Sequence, residues 1–233
     1  MTSLGIICAR HHSSFKGKNW ALVNGIPLIH RSILTANKSN LTRVIVSTDS
    51  AKIAFLAREL DADVPFKRPE RYATDDCRIE EAVKHGVEFC EKQQECKYDV
   101  IVLLQNSSPM RLPCDINDCL ALIEQGYTNA FTATLASHYH PYKAYINGEP
   151  NSFNTKCYRR QDLTDAYYEN GLVYAVKRDY FMETNSLRSD NFGMVVVPEY
   201  RSIDIHDEWD LCMAEAILKK MELESDSRNG IDD

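Results

Sequence analysis

Short apolar runs, each followed by a stretch with helical spacing, recur along this chain from its first residues onward. The runs typical of buried strands are residues 4–8, 44–47 and 100–104. The stretches with apolar side chains at helical intervals are residues 27–37, 53–60 and 79–90. Such alternation is typical of βαβ units, in which parallel strands form one sheet covered by helices. We therefore predict an α/β fold with a mostly parallel, Rossmann-like sheet flanked by helices.

The rest of the chain continues this pattern with one interruption. Further strands are predicted at residues 64–66, 130–135, 171–176 and 194–197. Further helices are predicted at residues 115–125, with Asp115 as N-cap, and at 208–222. Residues 137–169 are aromatic, polar and turn-rich, and Asn147-Gly148 within them is a hairpin signal. We predict a single domain, residues 1–224, that includes 137–169 as an inserted lobe and is followed by a disordered acidic tail, residues 225–233.

Charge and composition exclude several classes of protein. The net charge is -7 and the acidic residues are spread along the chain, so no basic face for nucleic acid is indicated. The apolar runs fall far short of the roughly 20 residues that a membrane-spanning helix requires, and residues 1–10 lack the features of a secretion signal. The eight cysteines are scattered without Cys-x-x-Cys spacing, which favours reduced thiols. We expect a cytoplasmic protein, or a nuclear one in a eukaryote.

Polar residues that follow strands are the first candidates for a binding site, because ligands of open α/β sheets bind beyond the carboxyl ends of the strands. The segment directly after the first strand, residues 9–19, holds Arg10, Lys16 and Lys18 together with two serines and a glycine. Cations and hydrogen-bond donors that converge in this way suit a triphosphate. The glycine-rich P-loop pattern is absent, and on composition alone a solvated basic turn is the alternative.

The same segment resembles the A-R-x-x-S-K-x-x-x-K-N loop of the acylneuraminate cytidylyltransferases, which make CMP-sialic acids, and of their octulosonate-using relatives. Four further segments agree with this family in order and rough spacing: residues 25–29, 46–49, 104–111 and 202–205. The resemblance covers nearly the whole chain. It implies a nucleotidyltransferase fold similar to that of GT-A enzymes, and a reaction in which CTP and an acidic keto sugar give the CMP-sugar and pyrophosphate.

The resemblance implies roles for particular residues of the nucleotide site. Arg10 and Lys18 match the cations that bind the CTP phosphates and stabilise charge on the departing pyrophosphate. Further nucleotide contacts are implied at Ala9, Ser13 and Asn19. Arg68 matches the arginine that reaches the cytosine, whereas without the family context it is equally compatible with a surface cation before a turn proline.

The resemblance extends to the sugar side of the site. Gln105 matches the glutamine that faces the sugar, although strand-end amides commonly cap backbone groups instead. Residues 140–143, 160–163 and 168–171 resemble family segments that favour nonulosonates, the nine-carbon keto acids. Lys143 or Arg160 would pair with the sugar carboxylate, and Asn170 would contact the sugar. The resemblance also implies that the lobe crosses to a partner subunit in a homodimer, whereas composition alone leaves its tyrosines as either an interface or a local aromatic cluster.

A metal site is expected just before the last helix, where the family usually shows Asp-x-Asp as ligands for Mg²⁺, a hard cation. Asp204 keeps the first position, but His206 occupies the second, and a neutral imidazole is a poor ligand for Mg²⁺. Three arrangements stay open: Asp207 supplies a carboxylate, His206 selects a softer ion such as Mn²⁺, or Asp204 and the phosphates hold the ion through water. Asp207 can instead cap the following helix.

The first loop departs from the family pattern as well. His11 and His12 replace a small or polar pair, and Ser14 stands where a lysine is usual. Together with His206, these differences leave two alternatives to a nonulosonate cytidylyltransferase. One is a nucleotidyltransferase for octulosonate or another sugar, and the other is a family member that binds nucleotide without turnover.

Overall fold

The computed structural model describes residues 1–137, 139–151 and 159–229, apart from the side chains of residues 160 and 224–229. Its strands are β1 (Ser3–Cys8), β2 (Leu22–Val23), β3 (Ile26–Pro27), β4 (Arg43–Ser47), β5 (Val100–Gln105), β6 (Asn129–Leu135), β7 (Tyr145–Ile146), β8 (Glu149–Pro150), β9 (Tyr167–Lys177) and β10 (Phe192–Val196). Its α-helices are α1 (Leu28–Asn37), α2 (Ala51–Arg58), α3 (Ile79–Gln94), α4 (Pro113–Glu124), α5 (Arg178–Thr184) and α6 (Glu208–Asn229). Within these residues, no helix is both long and apolar enough to cross a bilayer.

One six-stranded sheet forms the centre of the molecule, with the strand order β10-β6-β9-β5-β1-β4. β1 pairs in parallel with β4 and β5, and β6 pairs in parallel with β10. β9 runs antiparallel to both of its neighbours, β5 and β6. The predicted mostly parallel α/β sheet is therefore confirmed, and the carboxyl ends of β1, β4, β5, β6 and β10 lie along the same edge.

Helices cover both faces of the sheet, which explains why the central strands are continuous apolar runs rather than alternating ones. Ile7 packs in the cluster formed with α1, α2 and α4, whereas its neighbour Ile6 packs on the opposite face with α3 and α5. Both side chains are fully buried, and burial of each contributes about 1.5–3 kcal/mol. The two layers hold the strand ends, and hence the loops that follow them, in fixed positions.

Two local predictions about secondary structure are wrong. Residues 64–66 form no strand; isolated parallel bridges join Ile45 to Asp63 and Thr48 to Lys67 instead. Pro65 lies between these bridges and has no N–H to donate to a ladder. Asp115 is not the N-cap of its helix, since α4 begins two residues earlier and Asp115 Oδ2 accepts the Leu112 N–H at 2.7 Å from within the first turn.

The structure adds elements that sequence analysis does not anticipate. Helix α5 spans seven residues, too few for apolar periodicity to reveal it. The small β2–β3 hairpin turns at Asn24 and Gly25, both with positive φ. The hairpin predicted at Asn147-Gly148 is confirmed as β7–β8.

The end of the chain differs from the prediction in extent. Helix α6 continues to Asn229, so residues 225–229 of the predicted disordered tail are helical, and residues 230–233 lie outside the described part. Ala214 and Leu218 of α6 are buried together with Val23, Leu28 and Ile205. This packing fixes the segment that connects β10 to α6 against the sheet edge.

Candidate active site

A cleft of about 320 Å³ opens at the sheet edge where β1 and β5 end. Most of its lining residues are polar, and they come from the ends of β1 and β5 and the loops after them, from the segment after β4, from the start of α3 and from the segment before α6. The lining residues are Cys8, Arg10, Ser13, Ser14, Lys18, Asn19, Arg68, Ile79, Gln105, Asn106, Ser107 and His206. Seven of the predicted site residues therefore share one cleft: Arg10, Ser13, Lys18, Asn19, Arg68, Gln105 and His206.

The loop after β1 is tied to the loop after β5 by two buried asparagines. Asn19 Nδ2 donates to the Arg10 carbonyl at 2.7 Å, and Asn106 Nδ2 donates to both the carbonyl and Oδ1 of Asn19 at 3.1 Å. Ala9, which was predicted as a nucleotide contact, is 1% exposed, and its N–H donates to the Ser47 carbonyl at 3.1 Å. These bonds leave the Arg10 and Lys18 side chains at the cleft on a loop whose backbone is anchored.

Arg10 is engaged by a neighbouring segment. Its Nη1 donates to the Thr74 carbonyl at 2.7 Å, and its Nη2 lies 2.8 Å from Asp75 Oδ1. Thr74 and Asp75 belong to the lining of a second, larger cleft of about 650 Å³. The two clefts share Arg68, so they adjoin at the sheet edge.

Arg68 is 4% exposed, and its guanidinium is hydrogen-bonded to the end of β4. Its Nε donates to Ser47 Oγ at 3.0 Å, and its Nη2 donates to the Ser47 carbonyl at 2.5 Å. Burial raises the pKa of the neighbouring Cys8 thiol, and Arg68 opposes that shift. Arg68 is thus a buried cation at the boundary of both clefts, and the alternative of a free surface cation is wrong.

Lys18 lies half-buried among charges from three parts of the chain. Burial lowers the pKa of Lys18, and Arg10 acts in the same direction, whereas the carboxylates of Asp204 and Asp210 oppose the shift. A triphosphate between Lys18 and Arg10 would be attracted to both cations and would offset the repulsion between them. The site is therefore electrostatically prepared for an anionic ligand.

The segment before α6 meets the loops after β1 and β5 directly. Ser14 Oγ donates to the His206 carbonyl at 2.6 Å, and the Ile205 N–H donates to the Ser107 carbonyl at 3.0 Å. The predicted metal-binding segment and the predicted phosphate loop, almost 200 residues apart in sequence, thus face one cleft.

The three predicted metal ligands have different surroundings. Asp204 Oδ1 is buried without a hydrogen-bond partner in the described part of the chain, and Asp204 Oδ2 lies 3.1 Å from His206 Nε2. Asp207 Oδ1 accepts the N–H groups of Trp209 and Asp210, at 2.8 and 3.0 Å, and so caps α6. No group of three or more acidic, histidine or cysteine side chains that could hold a metal occurs among the described residues. A metal here would need oxygens from a bound substrate in addition to Asp204.

The residues predicted to contact the sugar are only partly brought together. Gln105 lies in the cleft, over the backbone of Gly171. Asn170 is 6% exposed, and its amide bonds to Thr132, Thr134 and Ser202 at 2.7–3.2 Å, which is a structural role. Lys143 lines a separate cavity of about 60 Å³ in the lobe, and the side chain of Arg160 lies outside the described part of the chain.

Sequence reasoning missed several residues at this edge of the sheet. Asn106 could have been found from its position, because it comes directly after Gln105 at the end of a predicted strand. Asp75 and Asp210 gave no signal, since their partners lie 65 and 192 residues earlier in the chain. Arg111 is 3% exposed; its Nε donates to the Leu172 carbonyl at 2.5 Å and its Nη2 donates to the Gln105 carbonyl. Burial lowers the pKa of Arg111 to about 10, against the opposing charges of Asp115 and Asp204.

Comparison with known proteins agrees with this geometry. Residues 4–207 match the sequence model of the cytidylyltransferase family. The chain belongs to this family. The predicted family, fold class and nucleotidyltransferase class are therefore confirmed.

Individual relatives span nearly the same length as this cytidylyltransferase. It is 26% identical over 229 residues to post-translational flagellin modification protein B of Campylobacter coli, covering 94% of this chain and 96% of that protein. It is 29% identical over 222 residues to CMP-N,N'-diacetyllegionaminic acid synthase of Campylobacter jejuni, covering 91% of this chain and 93% of the relative. A solved structure of CMP:2-keto-3-deoxy-manno-octonic acid synthetase complexed with CTP superposes with a TM-score of 0.72 at 15% identity, covering 95% of this chain and 100% of the other. At that identity the likeness concerns the fold.

Proposed function

We propose that this cytidylyltransferase transfers CMP from CTP to a nonulosonic acid and releases pyrophosphate. The observation that carries the proposal is one cleft lined by Arg10 and Lys18 from the first loop and by His206 from the segment before α6, with the Asp204 carboxylate near enough to Lys18 to act on its pKa. The acceptor class is supported by the likeness to a protein named for legionaminic acid, a nonulosonic acid, over almost the full length of both chains.

The chemistry needs no covalent intermediate on the protein. The anomeric hydroxyl of the sugar attacks the α-phosphorus of CTP and gives up its proton to solvent, the new O–P bond forms, and the bond to the β,γ-pyrophosphate breaks. Negative charge grows on the pyrophosphate as that bond breaks, and Arg10 and Lys18 are suited to stabilise it from fixed positions. Arg68 is proposed to reach the cytosine, Ser13 and Asn19 to contact the nucleotide, and Gln105 to orient the sugar.

A divalent cation fits the donors around Asp204. Mg²⁺ is commonly bound by one or two carboxylates plus substrate phosphates and water, and Asp204 Oδ1 is a buried oxygen without a partner among the described residues. When bound, the ion would supply Lewis-acid stabilisation of the phosphate charge. His206 Nε2, 3.1 Å from Asp204 Oδ2, adds a nitrogen donor, which is why Mn²⁺ is a second candidate.

The lobe is the proposed site of homodimer formation and of sugar carboxylate binding. It exposes apolar side chains, with Tyr139 at 90%, Tyr145 at 67% and Ile146 at 59%. Exposure of this kind favours burial against a second copy. Such a dimer would give Lys143 and Arg160 a way to reach a cleft from which Lys143 is separated in one chain. A cytoplasmic location agrees with the cysteines, all of which are free among the described residues.

The test is pyrophosphate release from CTP, followed by mass spectrometry of the sugar product. Purified protein would be assayed with legionaminic, pseudaminic and sialic acids and with an octulosonic acid, each with Mg²⁺ and with Mn²⁺. We expect a CMP-sugar from at least one nonulosonic acid, formed about a hundredfold or more slowly by the Arg10→Ala variant. Product from the octulosonic acid alone would show that the acceptor is an eight-carbon sugar acid. Tight CTP binding without product from any sugar would indicate a protein that binds nucleotide without turnover.

A further inference from the structure

The ion pair between Arg10 and Asp75 lies where the two clefts meet. Arg10 lines the smaller cleft, Asp75 and Thr74 line the larger one, and Arg68 lines both. Two donors of the Arg10 guanidinium are used in this contact, Nη1 on the Thr74 carbonyl at 2.7 Å and Nη2 on Asp75 at 2.8 Å. The cation best suited to a phosphate is therefore engaged by a carboxylate of the same chain.

Arg10 has five N–H donors, so a phosphate competes with Thr74 and Asp75 when it binds through Nη1 and Nη2. Asp75 occupies Nη2, and a phosphate commonly takes two guanidinium donors at once, so a phosphate bound in this way competes with Asp75 for Nη2. The Asp75 side chain is 85% exposed, and an ion pair in contact with water is weak. A phosphate can therefore displace Asp75 from Arg10, at a small cost in phosphate affinity.

The geometry couples this exchange to the larger cleft. Residues 73–75 form part of its wall, so a ligand group that fills it contacts the segment that holds Arg10. A nucleotide can occupy both clefts, its base in the larger and its phosphates in the smaller. An inorganic polyphosphate has no group that fills the larger cleft, so it reaches Arg10 while Arg10 is still paired with Asp75.

We infer that Asp75 is a specificity-determining residue, which makes phosphate binding at Arg10 depend on a base in the adjoining cleft. It thereby disfavours phosphate ligands that carry no base, including the pyrophosphate product. This inference deepens the proposed function and rests on it, since it takes the larger cleft as the place of the base.

The experiment is isothermal titration calorimetry at low ionic strength, with CTP and with inorganic tripolyphosphate as ligands and no sugar present. The variants are Asp75→Asn and, as a matched control, Asp76→Asn, which removes the same charge from the next exposed residue without touching the Arg10 pair. We expect Asp75→Asn to tighten tripolyphosphate binding about two- to fivefold, the range for an exposed ion pair, and CTP binding by less. The preference for CTP over tripolyphosphate then falls in this variant and is unchanged in Asp76→Asn.

A third variant ties the effect to Arg10. In the Arg10→Ala background, Asp75→Asn should no longer change tripolyphosphate binding beyond the change seen for Asp76→Asn. The inference is overturned if Asp75→Asn weakens both ligands, or leaves their ratio at the wild-type value. Failure of the proposed function has a different signature, because the wild-type protein would then bind no CTP, or would bind CTP and form no CMP-sugar in the pyrophosphate assay.

Discussion

Arg10 and Lys18 carry the charge on which the proposed reaction depends, and the protein holds them differently. Arg10 is paired with Asp75, whereas Lys18 is half-buried near Asp204 and Asp210. We expect Arg10→Ala to lower kcat/KM for CTP about a hundredfold or more, because a fixed donor to the departing pyrophosphate is lost. Steady-state pyrophosphate release measures this, with Lys16→Ala as a control on the same loop. A rate for Arg10→Ala close to that of the wild type would contradict the assignment.

The lowered pKa of Lys18 predicts a particular pH profile. Lys18 is cationic below its pKa and neutral above it, and burial has moved that pKa below the ordinary lysine value of 10.5. Activity should therefore decline on the alkaline side at a lower pH than a free lysine would dictate. A profile of kcat/KM for CTP against pH reports the unliganded enzyme. In Lys18→Arg the alkaline decline should move to higher pH; the same decline in both proteins would show that another group titrates.

In the proposed metal site, His206 is the residue expected to govern the preference for Mg²⁺ or Mn²⁺. We expect His206→Asp to raise the rate supported by Mg²⁺ relative to that supported by Mn²⁺, because a carboxylate replaces a nitrogen donor beside Asp204. His206→Asn removes the imidazole without adding a charge and is the control. Identical metal preferences in all three proteins would mean that residue 206 stands apart from the ion.

At the scale of elements, the approach of β9 to the end of β5 depends on a glycine. Gly171 has φ +79°, and a Cβ at this position would lie 2.7 Å from Gln105 Oε1. Gly126 has φ +111° with no neighbouring atom within 4 Å, so it shares the backbone restriction without the clash. Both Gly→Ala variants should lose about 1–2 kcal/mol of the free energy of unfolding.

Only Gly171→Ala should also affect the sugar. Displacement of the Gln105 amide is expected to raise KM for the nonulosonic acid several-fold and to leave KM for CTP nearly constant, as for a contact made in the ground state. Thermal unfolding and steady-state kinetics of the two variants measure both effects. Equal sugar KM values in Gly126→Ala and Gly171→Ala would show that Gln105 does not contact the sugar.

The elements that sequence analysis finds are those with a repeated pattern. Strands β1, β4 and β5 and helices α1 and α3 were predicted to within a few residues, because buried strands and amphipathic helices repeat over many positions. The seven-residue helix α5 has no such repeat, and Pro65 breaks the strand that apolar composition suggests. A repeated local pattern is enough to predict a helix or strand, whereas short or interrupted elements depend on contacts with distant residues.

At the scale of the molecule, the same distinction separates the predicted parts of the site from the missed ones. The resemblance to the cytidylyltransferases implied that Arg10, Lys18 and Gln105 belong to one site, and they line one cleft. The pairing of Arg10 with Asp75 and the burial of Asn170 in a network with Thr132 arise from tertiary contacts that no local pattern encodes. The role of Asp207 as a helix cap was one of two alternatives, and only the position of α6 distinguishes them.

The central claim is that a triphosphate binds between the loop after β1 and the segment before α6. A crystal structure of the protein with CTP and Mg²⁺ tests it most directly. We predict the phosphates between Arg10 and Lys18, with the ion bound to Asp204 and to phosphate oxygens, and with Arg10 released from Asp75. A triphosphate bound away from Lys18, or an ion held without Asp204, would contradict the account.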